Sequence, residues 1–360
     1  MLADKVRSAK GAAGGGGSST YYLAVVSNNN LLKVYPWTSA TGYGTAYGAA
    51  PSIGAFFQQV AFSPSGNAIF VDGSASNIAG QAWPWSAAGF GTKYADAAGI
   101  NVDIAVIAVS PAGDAVLFGR ELGPPYTYAY RWTTASGFGT QYSAPGSPSG
   151  AVRGSIDFAP NAGAVAIGTG VSPANIDAYP WSSASGFGSK FANPATSLAS
   201  GNRAYVKFSP TGGALVYGGN GTSSSPFVMG YPWSNATGFG TKYANPTVLP
   251  PGNPSGITFS PVGDVVVFSH LVSPYISAYA WSDATGFGTK FANPATTSAS
   301  QITSLAFAPT GTEIAVGRGF PYGANAFYRW SGAGFGAYVT DGGAAPTNAV
   351  TGMAFGTITT

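Results

Sequence analysis

The chain has 360 residues, with 53 Gly, 26 Pro, only 8% charged side chains and a net charge of +3. Lys5, Arg7 and Lys10 against Asp4 already supply +2, so the remainder is nearly neutral and carries no nucleic-acid footprint. The absence of cysteine excludes disulfides and thiolate metal sites, and no apolar run is long enough for a transmembrane helix. Residues 1–10 read as a short helix with Leu2 and Val6 one turn apart, and 11–19 are almost pure Gly, Ala and Ser. Residues 1–19 are therefore expected to be an anchoring arm on a flexible linker, with Leu2, Lys5, Val6, Arg7 and Lys10 as its contact residues. The polar start lacks the apolar stretch of a secretion signal, and Tyr21 to Val26 is too short to supply one.

From residue 20 onward the chain repeats. Trp37, Trp85, Trp132, Trp181, Trp233, Trp281 and Trp330 are spaced by 48, 47, 49, 52, 48 and 49 residues, and each is followed by Gly-aromatic-Gly. In the unit from Gln59 to Tyr94, Gln59 to Phe62 alternates as an inner strand, and Ser63-Pro64-Ser65-Gly66 makes a hairpin turn. Ala68 to Val71 returns, Gln81 to Trp85 is a third strand, and Thr92 to Tyr94 is expected as a short outer strand after a Gly-Phe-Gly turn. The inner hairpin recurs around Pro111, Pro160, Pro210, Pro261 and Pro309, giving six complete copies. Met353 to Gly356 looks like an inner strand without its return, while Tyr21 to Val26 and Leu31 to Trp37 lack an inner partner. Joining them predicts an all-β, seven-bladed propeller of four-stranded blades over residues 20–360, closed by one C-terminal and three N-terminal strands.

The unit "Val-Ala-Phe-Ser-Pro-x-Gly … Trp-Ser" resembles WD-repeat propellers. The longer string from Tyr-Pro-Trp-Ser to Ala-Asn-Pro resembles a WD-repeat-like group carried by bacteriophages as virion-associated proteins. The Trp-Asp pair is replaced by Trp-Ser or Trp-Thr, and the Gly-His before the inner strand is missing, so the His/Asp network of eukaryotic WD repeats does not carry over.

Inner hairpins and Gly-aromatic-Gly segments are nearly identical between units, whereas the connections from second to third strand and from one blade to the next vary. These variable sets share one face of a propeller, the expected binding surface. Its distinctive members are Arg120, Glu121, Tyr126, Phe227, His270, Tyr275, Arg318 and Tyr322. Tyr126, Phe227 and Tyr275 each lie six residues before their unit's Trp, which suits either an exposed arc of rings or seals between blades. The seven Trp residues read as packing, and Lys93, Lys190, Lys242 and Lys290 as guards of the outer edges.

Catalytic patterns are nearly absent: His270 is the only histidine, no Gly-x-Ser-x-Gly turn occurs, and the twelve carboxylates are scattered. The expectation is a non-enzymatic module without cofactor, metal or membrane insertion. The phage resemblance implies a tail-associated or capsid-decorating protein of the virion, assembled in the host cytoplasm. Residues 1–18 would contact other virion proteins, and the variable face would meet a host-surface glycan or receptor. A free lectin-like propeller is the alternative.

Overall fold

The computed structural model describes residues 19–28, 31–48, 58–73, 80–100, 102–146, 150–170, 175–198, 203–219, 227–319, 325–340 and 349–359. The candidate arm and Tyr322 lie outside these. Seven four-stranded antiparallel sheets form the blades. Blade 1 is closed as expected, with Val350–Thr359 pairing Ser19–Ser27, followed by Leu31–Thr38 and Gly42–Tyr43. The inner strands of blades 2 to 7 are Val60–Phe62, Val106–Val109, Val152–Phe158, Ala204–Phe208, Pro254–Phe259 and Ile302–Phe307. Each inner strand touches the next, and Val350–Thr359 touches both Ile302–Phe307 and Val60–Phe62, so the ring is complete.

The core is not one body but seven apolar layers, one between each pair of adjacent blades. This explains the repeated tryptophan. In every blade it meets the aromatic ring of its own Gly-aromatic-Gly edge-on, at centroid distances of 4.9 to 5.1 Å. From blade 2 onward it also meets a ring from the end of the preceding blade: Tyr47, Tyr94, Tyr142, Phe191, Tyr243 or Phe291. Edge-to-face pairs each add about 0.5–1.5 kcal/mol to the burial itself. The repeat is therefore a packing device that glues each blade to the one before it.

One expected detail is corrected. Gly-aromatic-Gly is not a turn; its first two residues are the paired part of the outer strand, as in Trp85 opposite Phe90 and Ser86 opposite Gly89. Its length beyond that follows from a single upstream residue. Where Pro36, Pro84, Pro180 or Pro232 precedes the Trp, the outer strand has two residues. Where Arg131, Ala280 or Arg329 stands there, it has five, five and seven. The proline still pairs with the second strand, as Pro84 does with Ala68, and its carbonyl still accepts from Gly91 N–H at 2.9 Å. What it lacks is the N–H that would face the outer strand.

The inner strands present an edge with no strand beside it, and the neighbouring blade's side chains satisfy that edge. Ser155 Oγ accepts from Val206 N–H at 2.7 Å and donates to Val206 O at 3.0 Å. Asp157 accepts from Phe208 N–H at 2.7 Å, and Gln59 Oε1 accepts from Ile107 N–H at 3.1 Å. Ser255 and Thr303 donate to Ile302 O and Val350 O at 2.6 and 2.5 Å. These bonds zip the wall of the central channel.

Candidate functional site

The variable connections do meet at one end, where hydrogen bonds tie second-strand ends to inner-strand starts. Val152 N–H donates to Arg120 O at 2.9 Å, Gly319 N–H to Gln301 O at 2.9 Å, and Leu271 N–H to Asn253 O at 3.3 Å. Charge is concentrated here. Of the six arginines beyond residue 20, Arg120, Arg153, Arg203 and Arg318 lie at this end. Arg131 and Arg329 instead clasp the turns of the following blades through Ser183 O, Ala184 O, Ser39 O and Ala40 O.

Two of these arginines, Arg153 and Arg203, stand at one sector of the mouth because the inner strands of blades 4 and 5 touch backbone to backbone. A Cβ on either Gly154 or Gly168 would strike the carbonyl oxygen of Ala204, so only glycine permits the approach. Arg153 immediately precedes Gly154, and Arg203 immediately precedes Ala204, so the contact sets the two arginines at adjoining strand starts. Glu121, on the connection after blade 3's second strand, reaches over blade 4 to Arg203, with Oε1 3.6 Å from Nη2. A blade 3 side chain can meet the start of blade 5 only on the channel side, where inner strands converge. Burial works against the Arg203 guanidinium, but Tyr205 and Glu121 outweigh it and leave its pKa raised.

Gln59 enters the same sector from blade 2. Its Oε1 holds Ile107 N–H of blade 3, and its Nε2 donates to Gly154 O of blade 4 at 3.4 Å. Behind it, Asp72 Oδ1 accepts from Gln58 N–H at 2.8 Å and Gln59 N–H at 3.0 Å. Asp72 is fully buried and its Oδ2 has no partner among the described residues. Burial pushes its carboxyl up to about 7, against the backbone donors that pull it down. Below the mouth, Lys207 pairs with Asp157 at 2.6 Å, continuing a polar strip along blades 4 and 5. Arg120 folds back onto Pro124 O at 3.1 Å. The sector thus combines one partly exposed carboxylate, Glu121, and the buried Asp72 with the guanidinium groups of Arg153 and Arg203, open to solvent at Arg203 and Glu121.

The other expected face residues behave differently. His270 is buried, not displayed: it ends blade 6's second strand at 0% exposure. Its Nδ1–H donates to Val272 O at 2.6 Å, and Nε2 accepts from Ser277 Oγ at 3.0 Å. Burial lowers its pKa to about 4, so it is neutral and structural. Tyr126, Phe227 and Tyr275 are half-buried and pack on the layers between blades 3 and 4, 5 and 6, and 6 and 7. Arg318, half-buried, ends blade 7's second strand opposite Ile302. Among the described residues, the exposed large apolar side chains at this end are aliphatic: Leu122, Val248, Leu249, Leu271 and Val272.

Sequence reasoning brought Arg120 and Glu121 forward and missed Gln59, Asp72, Arg153, Arg203 and Tyr205. A signal existed: Arg153 and Arg203 each stand five residues before the inner-strand phenylalanine, Phe158 and Phe208. Among the described residues, no three His, Asp or Glu side chains converge as a metal-holding group.

No protein-family model matches the chain, and no curated protein matches it. Solved structures share its fold. The periplasmic gluconolactonase of Pseudomonas aeruginosa superposes with a TM-score of 0.71 at 13% identity, over 94% of this chain and 99% of that one. A provisionally named 6-phosphogluconolactonase of Bacteroides uniformis gives 0.70 at 13%, with coverages of 94% and 99%. A chain of the mitotic checkpoint complex gives 0.56 at 14%, over 82% and 86%. The expectation of a non-enzymatic phage structural protein is corrected by these findings: the first two of these fold neighbours carry lactonase names, and nothing indicates a bacteriophage origin. The physical reason for the miss is that a propeller keeps its blade grammar whatever its mouth does, so the motifs that suggested a display module report packing alone.

Proposed function

We propose that this protein is a lactone hydrolase acting at the channel mouth, on a sugar-derived lactone that carries a negative charge. The observation that carries the reading is the Glu121–Arg203 pair bridging blades 3 and 5, with Arg153 at the adjoining strand start. A carboxylate and guanidinium groups in one concave sector are what cyclic ester hydrolysis needs. The names of the fold neighbours supply the reaction class. In this mechanism Glu121 takes a proton from water as the hydroxide attacks the lactone carbonyl. Arg203 stabilises the oxyanion; the ring C–O bond then breaks, and the departing alkoxide takes the proton back from Glu121. The product is a hydroxy acid whose new carboxylate faces Arg153 and Arg203. The two guanidinium groups against the one partly exposed carboxylate favour a phosphorylated or carboxylated ring over a neutral one.

The test is ring opening of 6-phosphogluconolactone, glucono-δ-lactone and a neutral aliphatic lactone, each corrected for spontaneous hydrolysis. The wild-type chain is expected to accelerate at least the phosphorylated lactone, and Glu121→Gln to lower kcat by about 100-fold, the usual weight of a general base. Rates at the spontaneous background, or an unimpaired Glu121→Gln enzyme, would overturn the reading.

A further inference from the structure

We propose that Asp72 and Gln59 form a positioning relay that fixes the Arg153 arm of the mouth for substrate binding; this rests on the lactonase reading of that mouth. The relay begins at a buried carboxylate. Asp72 ends blade 2's second strand region at 0% exposure, and one of its oxygens anchors the backbone N–H groups of both Gln58 and Gln59. Burying this group with its other oxygen unpartnered among the described residues is costly, and the Oδ1 acceptor is what both backbone N–H groups use. The anchored residue does more than pair within its own blade. Gln59 extends its amide across blade 3 to blade 4, holding Ile107 N–H with its oxygen and Gly154 O with its nitrogen. Gly154 is the glycine pressed against Ala204, and its chain neighbour is Arg153. Three blades are thus tied to the peptide that carries the arginine.

Asp72 touches no substrate in this arrangement; it acts through Gln59 on the angle at which Arg153 leaves its strand. A misaligned guanidinium weakens the grip on the substrate's anionic group without removing the Glu121 base. The signature is a rise in KM with kcat nearly unchanged.

The experiment uses the full chain and the variants Asp72→Ala, Asp72→Asn and Gln59→Leu, each first shown folded by its near-ultraviolet circular dichroism. Steady-state kinetics with 6-phosphogluconolactone and calorimetric titration with 6-phosphogluconate are the readouts. Gln59→Leu and Asp72→Ala are expected to raise KM and the dissociation constant five- to tenfold, with kcat within twofold. Asp72→Asn keeps the Oδ1 acceptor and is expected to stay within twofold of wild type. Unchanged KM and affinity in folded Gln59→Leu would overturn the relay while leaving the lactonase reading intact, as would an equal loss in kcat. A wild-type chain that neither opens the lactone nor binds the acid would overturn both, and the variants would not be needed to see it.

Discussion

At Ala162 the main chain adopts φ of +56°, at the corner where other hairpins place Gly66, Gly113, Gly212, Gly263 and Gly311 at +70° to +77°. An alanine there pays the left-handed penalty of about 1 kcal/mol that glycine avoids. Ala162→Gly is expected to raise unfolding stability by roughly that amount, or less after the added freedom of the unfolded chain, measured by urea denaturation. Two buried groups should also shape the response to acid. His270, held near 4, favours the folded state above the unfolded value of 6.5, and that contribution is lost as pH falls from 6.5 toward 4. Asp72, raised from 3.8 to about 7, works the other way: its contribution is complete below 3.8 and lost as pH rises toward 7. The two oppose one another over the shared window. Asp72→Asn removes only the second, so the variant should gain on wild type as pH rises from 4 to 7, by on the order of 2–4 kcal/mol. A constant difference across that range would show that Asp72 does not titrate as its burial requires.

At the scale of the element, a single proline decides how far each blade's outer strand runs. Pro180→Ala supplies a new N–H that can pair with the outer strand as in blades 3, 6 and 7, and the exchange of the Gly188 and Phe191 amides, already bonded to Pro180 O and Ala178 O, should slow further. Exchange unchanged from wild type would assign the short strand to the following residues instead. The strands, the hairpins and the closing blade were legible in the sequence because each depends on local chemistry: alternation, a Pro-x-Gly corner and a tryptophan at a constant period. The outer strand was misplaced because Gly-aromatic-Gly carries turn-like composition, whereas its pairing is set by the ring that packs on Trp181 and its equivalents. His270 was misplaced because the residues after it, Leu271 to Pro274, read as loop, whereas its pairing with Pro254 makes it the last residue of the Val265–His270 strand.

Across the whole molecule, the ring of blades brings Arg153, Arg203 and Glu121 to a single sector of its mouth. Those residues were only half visible in the sequence. Arg120 and Glu121 stand out in a variable loop, but Arg153, Arg203 and Gln59 become neighbours only through closure, the Gly154–Ala204 contact and the reach of Gln59 over blade 3. Sequence separation hides such a site, since its members come from different blades about fifty residues apart.

The central claim is that this sector opens anionic lactones. The most direct test compares kcat/KM for 6-phosphogluconolactone and glucono-δ-lactone in the wild-type chain and in Arg153→Met/Arg203→Met. Wild type is expected to prefer the phosphorylated lactone at least tenfold, and the double variant to lose that preference. An equal rate for both lactones in wild type, or a preference that survives the double substitution, would contradict it.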